Sequence, residues 1–117
     1  MNNLKNSVLL IGNLGKDPET KTLQNGSIVT NFSLATNETY TNNKGEKVET
    51  AQWHNCVAWG KTAEIINKWL KKGEKIAAQG KITYRNYEDK NGQVRYLTEI
   101  VVHEIEMLSR KEVASEN

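Results

Sequence analysis

The sequence predicts a mainly β domain: five strands, with a single α-helix between the third and the fourth. Three observations carry that prediction. Most of the apolar stretches are strand-length and rich in β-compatible residues, several with a period of two. One segment alone, residues 62–72, switches to helical spacing. Breaks built on glycine, asparagine and the single proline separate the segments.

Residues 7–13 read as a first strand, apolar on both faces and therefore expected to be buried. Gly12-Asn13-Leu14-Gly15-Lys16-Asp17-Pro18 breaks it, and Pro18 sits where it removes no ladder hydrogen bond. Residues 21–23 allow a further short strand before the Asn25-Gly26 turn signal. Residues 27–40 form the long second strand, with Ile28, Phe32 and Leu34 as its apolar members. A polar loop over 41–47 holds Gly45, and residues 50–59 give the third strand. In the helix the apolar positions are Ala63, Ile65, Ile66, Trp69 and Leu70. Thr62 is the expected N-cap, Glu64 suits the positive first turn, Lys71 and Lys72 the last turn, and Gly73 the C′ position. Residues 75–87 are the fourth strand, 88–92 a charged hairpin loop, and 93–108 a fifth strand long enough to bend. Residues 109–117 read as a short, disordered polar tail.

Three strands, a helix and two strands is the order found in the OB-fold, a five-stranded Greek-key barrel. Element order does not by itself close the barrel, and other small α+β folds accept a similar string. A chain of 117 residues has room for one core, so residues 1–108 are read as one domain.

Composition excludes several classes. Charged residues make up 26% and the net charge is +2, which fits a soluble domain and only weakly suggests an acidic partner. The longest early apolar run, Val8 to Ile11, is too short for a membrane span or a signal-peptide core. Cys56 is the single cysteine, so no intrachain disulfide forms and a reducing, cytoplasmic setting is expected. His54 and Cys56 share a strand face, but no third group orients the histidine as a catalytic triad requires. Two histidines and one cysteine lack zinc-ligand spacing, so neither metal nor cofactor is expected. Gly60-Lys61-Thr62 ends like a phosphate-binding loop, but Asn55 stands where that motif needs glycine. Gly12-Asn13-Leu14-Gly15 matches a GXXG loop in letters only, with no helix on either side.

What the strands do offer is an aromatic and basic face. Residues two apart share a side, so Trp53, Asn55, Val57 and Trp59 point one way, and His54, Cys56 and Ala58 the other. A tryptophan pair on a strand is ordinarily core. Here Lys61, Arg85 and Arg95 are interspersed with Trp59, Tyr87 and Tyr96, a mixture that a purely structural face does not need. Aromatic rings stack on any base, and cations meet phosphates without regard to sequence, so this composition suits an unpaired nucleic-acid strand. Trp69, at helical spacing with Ile65, Ile66 and Leu70, is expected in the core instead. Two rival readings are an assembly adaptor that binds DNA weakly and an enzyme using Cys56 and His54.

Five stretches carry a resemblance. VLLIGNLGKDPE (8–19), NGSIVTNFSLATNETY (25–40), QWHNCVAWGKTAEI (52–65), LKKG (70–73) and GKITYRNYEDKNGQVRY (80–96) are collinear with bacterial single-stranded DNA-binding proteins. The chain resembles that family from about residue 4 to residue 108. The resemblance implies an OB-fold homotetramer, non-catalytic and without cofactor, that wraps single-stranded DNA in replication, recombination and repair. It places stacking aromatics at Tyr40, Trp53, Trp59 and Tyr87, and basic contacts at Lys61, Lys72 and Arg85. Tyrosine stands at the first and last aromatic positions where tryptophan is common, and Asn55 replaces a position that is often basic. His54 matches a histidine near a subunit interface. Many members of the family continue into a flexible linker and an acidic tip that recruits repair and replication enzymes. Residues up to Ser115-Glu116-Asn117 carry neither feature, so recruitment through such a tail is not expected of this chain.

Overall fold

A computed structural model describes residues 4–108; the predicted tail over 109–117 lies outside the described residues. Six strands and one helix follow in the order β1 (Val8–Leu14), β2 (Glu19–Thr22), β3 (Ile28–Thr41), β4 (Lys47–Trp59), α1 (Gly60–Trp69), β5 (Lys75–Glu88) and β6 (Val94–Met107). The sheet order is β1-β5-β6-β4-β3-β2, and β1 also pairs with β3. That extra pairing, at Asn13↔Ala35 and Leu14↔Leu34, joins one end of the sheet to its penultimate strand at the other. Five strands therefore close into the expected barrel, while β2 lies outside the ring against β3. All neighbours run antiparallel except β4 and β6, which pair in parallel at Cys56↔Ile100 and Val57↔Val101 only.

Two long ribbons extend from the ring, β3–β4 and β5–β6, and the same five-residue loop caps both. In Asn42-Asn43-Lys44-Gly45-Glu46, the Asn42 side-chain oxygen accepts from the N–H groups of Lys44 and Glu46, both at 2.9 Å. In Asp89-Lys90-Asn91-Gly92-Gln93, Asp89 Oδ1 accepts from Asn91 at 2.9 Å and from Gln93 at 3.0 Å. Each loop turns through a glycine at positive φ, +79° at Gly45 and +78° at Gly92, where any Cβ would be strained. These side-chain bonds let β4 begin at Lys47, three residues earlier than its composition suggests.

The barrel interior holds Phe32, Leu34, Cys56, Ala58, Ile76 and Ile100, and α1 closes one end with Ala63, Ile66 and Leu70. Buried Thr30 is satisfied there: its hydroxyl lies 2.6 Å from that of Thr20, which donates to Asn67 Oδ1 at 3.0 Å. This chain of bonds ties β2 and β3 to the helix.

Several local expectations are corrected. The helix starts at Gly60, with Trp59 extended at the N-cap and no side-chain cap. Thr62 is therefore inside the helix, where its hydroxyl donates to the His103 carbonyl at 3.4 Å, and no acidic residue occupies the first turn. The helix ends at Trp69, so Lys71 and Lys72 lie beyond it and Gly73 is three residues past the Leu70 C-cap. Gly73 instead turns the chain into β5, donating its N–H to Leu14 O at 2.9 Å.

Trp69 is not core: it is 55% exposed, and Ile65 is 43% exposed. The helix touches the barrel along one narrow line through Ala63, Ile66 and Leu70. Each residue turns about 100°, so the side chains just before Ile66 and Leu70 project off that line. The first strand is not buried on both faces either. Leu9 and Ile11 point outward, because a single barrel has nothing to cover its outer wall.

Candidate nucleic-acid interface

Alternation along β4 settles which side of the barrel is open. Cys56 and Ala58 enter the core, and Trp53, Asn55 and Trp59 face solvent, with Val57 the buried exception between them. Trp53 is 62% exposed and Trp59 49%. The Trp53 ring is seated. The Trp53 indole lies over the Cα of Gly15, where a Cβ would collide with ring atoms Cζ3 and Cη2. Glycine at position 15 thus seats one side of the ring and leaves the other side open. The sequence gives no signal for this contact, which joins residues far apart in the chain.

A groove runs along this face. Near Trp59 its walls include Lys21, Asn31, Arg85 and Glu99. Its middle section shares Asn31, Arg85 and Glu99 and adds Lys16, Ser33 and Asn55. Asn55 leads on to a cleft with Trp53 and Tyr96, where β4 and β6 part after their two paired positions. Lys16 and Lys21 are wall residues that sequence reasoning missed. Lys21 reaches the groove because β2 sets it opposite Val29, which in turn pairs with Trp59. Only the register reveals that.

The arginines are held. Arg85 donates through Nε and Nη2 to the two carboxylate oxygens of Glu99, at 3.0 and 3.2 Å. Glu99 is buried, and its hydrogen bonds and charge push the Arg85 guanidinium above its already high range. Arg95 donates to Asp89 Oδ2 at 2.8 Å, and that bond, with the Gln93 N–H, holds the Asp89 carboxyl below the usual carboxylate range. Tyr87 pairs directly with Arg95 across the β5–β6 ribbon, so both continue the face of Arg85. Tyr96 pairs with Asn86 on the opposite side of the ribbon.

The remaining candidates lie apart from the groove. Tyr40 is exposed on the β3–β4 ribbon, opposite Val48, on the side that carries Thr36 and His54 rather than Trp53. Lys61 is on the first turn of α1, and Lys72 follows the helix, its N–H held by Asp17 Oδ1 at 2.7 Å. The structure therefore gathers Trp53, Trp59 and Arg85 along one groove, with Tyr96 entering the cleft beside Trp53 from the other side of the ribbon. It spreads Tyr40, Tyr87 and Arg95 onto the ribbons and Lys61 and Lys72 onto the helix side.

Nucleophilic chemistry has no support here. Burial pushes the Cys56 thiol up to about 12, so it stays protonated at neutral pH. His54 Nε2 is 3.0 Å from Thr36 Oγ1 and is half-buried. Among the described residues no cluster of histidine, cysteine and carboxylate side chains could hold a metal ion, and no helix is long and apolar enough to cross a membrane.

Comparison with known proteins agrees with the geometry. The single-strand binding protein family matches residues 5–108. A single-stranded DNA-binding protein of Bacteroides thetaiotaomicron is 47% identical over 108 residues, 91% of this chain and 67% of that protein. One from Neisseria meningitidis is 45% identical over 103 residues, 88% of this chain and 59% of its own length. The chain thus spans about two thirds or less of these relatives. The solved Plasmodium falciparum SSB complex with ssDNA superimposes with a TM-score of 0.82 at 33% identity, covering 89% of this chain and 95% of that one.

Proposed function

This chain belongs to the single-strand binding protein family, and from that premise we propose that it coats single-stranded DNA with little sequence preference and catalyses nothing. The observation that carries the reading is the continuous groove with half-open indoles, Trp59 and Trp53, at its two ends. Bases stack on these rings and on Tyr40, Tyr87 and Tyr96, each stack contributing ~1–3 kcal/mol, and one barrel covers about 4–16 nucleotides. Phosphates meet Lys61, Lys72, Arg85 and Arg95, so affinity falls as salt rises. This activity serves replication, recombination and repair in the cytoplasm, on the DNA of the nucleoid.

The protein also self-associates, as a homotetramer. Leu9 and Ile11 form an apolar strip on the outer wall that a second copy would cover, and half-buried His54 would stand near a contact between copies.

A tryptophan-fluorescence titration tests the DNA reading, using oligo(dT) at low and high salt with duplex DNA as control. Strong quenching by the single strand, weakened by salt and absent with duplex, is expected. No binding at low salt would overturn it. Analytical ultracentrifugation tests the assembly, and a monomer at micromolar concentration would remove the tetramer.

A further inference from the structure

The cations of the groove and those of the helix are in different states. Arg85 and Arg95 are each committed to a carboxylate. Lys61, Lys68, Lys71 and Lys72 have no ion-pair partner among the described residues. Of the nearby carboxylates, Glu74 accepts from the Lys71 N–H and Asp17 from that of Lys72, while exposed Glu64 lies between Lys61 and Lys68 on the helix and forms no ion pair with either. Lys61, Ile65, Lys68 and Trp69 fall at helical spacing on the solvent side of α1, away from buried Ala63 and Ile66. Lys68 Nζ stands 5.2 Å from the centroid of the Trp69 ring, which is 55% exposed. This stripe begins beside the groove, because Trp59 is the N-cap residue of α1.

We propose that single-stranded DNA leaving the groove at Trp59 continues along the outer face of α1 and stacks a base on Trp69, with Lys61, Lys68 and Lys72 at its phosphates. The ten-residue helix is about 15 Å long, a span that adds nucleotides to the footprint rather than contacts within the groove. Charge decides the occupant. Unpaired lysines around an indole suit a polyanion that also offers stacking faces, as they do in other single-strand channels. The inference rests on the DNA-binding reading given above.

The test compares oligo(dT) of about 8 nucleotides, short enough for one barrel's groove, with one of about 30. Trp69→Ala is expected to weaken binding of the long oligonucleotide about tenfold and to leave the short one unchanged, while Trp69→Phe restores the long-oligonucleotide affinity. In a Trp53→Phe/Trp59→Phe protein, Trp69 is the sole tryptophan, and the long oligonucleotide is expected to quench it while the short one does not. Unchanged affinity for both lengths in Trp69→Ala, or equal losses for both, would overturn the inference, as would a Trp69 signal indifferent to long DNA. If the unaltered protein bound neither length, the DNA-binding reading itself would fall, a result distinct from all of these.

Discussion

Strand β4 and helix α1 meet at Trp59, and each shows a tryptophan to solvent, by different routes. On β4 a period of two allows only two directions. Cys56 and Ala58 occupy the interior, so Trp53, Asn55 and Trp59 must face out. On α1 the apolar residues span a wider arc than the barrel covers. Ile66 and Leu70 are sealed, while Ile65 and Trp69, one residue earlier in each case, are left at the margin. A strand face is assigned by its neighbours in the chain. A helix face is assigned by the width of whatever it packs against.

The largest expected effect tests that contrast within the helix. Ile66→Ala should cost about 2–5 kcal/mol in urea unfolding, because its side chain is sealed in the core. Trp69→Ala should stay within about 1 kcal/mol of the parent, despite removing a larger side chain. Equal losses would mean that α1 sits rotated toward Trp69.

A smaller effect is expected on β4, and in binding rather than in folding. Trp53→Ala and Trp59→Ala should each lose about 1–3 kcal/mol of affinity for oligo(dT), with unfolding midpoints close to the parent. Gly15→Ala should reproduce part of the Trp53 loss without touching Trp59, since its methyl group displaces the indole that rests on Gly15. A Gly15→Ala protein that binds normally would show that the seat of the ring does not matter.

The smallest effect concerns the groove cations. Glu99→Gln removes the anion that holds Arg85 and takes a negative charge out of the groove. Affinity should rise modestly at low salt, and the slope of log affinity against log salt should steepen by at most ~0.7, one phosphate contact. A shallower slope would mean that Glu99 is needed to aim Arg85 at the DNA.

The aromatic character of β4 was legible because alternation and composition both act over a few residues. The Asn42-to-Gly45 and Asp89-to-Gly92 loops were legible as turns for the same reason, although the side-chain bonds that tighten them shifted the strand ends. Lys16, Lys21, Glu99 and Gly15 were not legible as parts of a site. Each owes its position to a pairing or a packing contact between distant segments, and none carries a local mark.

By itself the sequence determined the element order, the inward and outward sides of β4, the single core and the absence of a disulfide framework within the chain. These follow from periodicity and counting, which need no knowledge of what lies across the sheet. The tertiary structure decided three further things. The β1–β3 pairing closed the barrel, the β4–β6 divergence opened the cleft beside Trp53, and the narrow seat of α1 left Trp69 and its lysines facing water. All three depend on which segments become neighbours in space, and a linear pattern of hydrophobicity does not encode how much of a face its neighbour will cover.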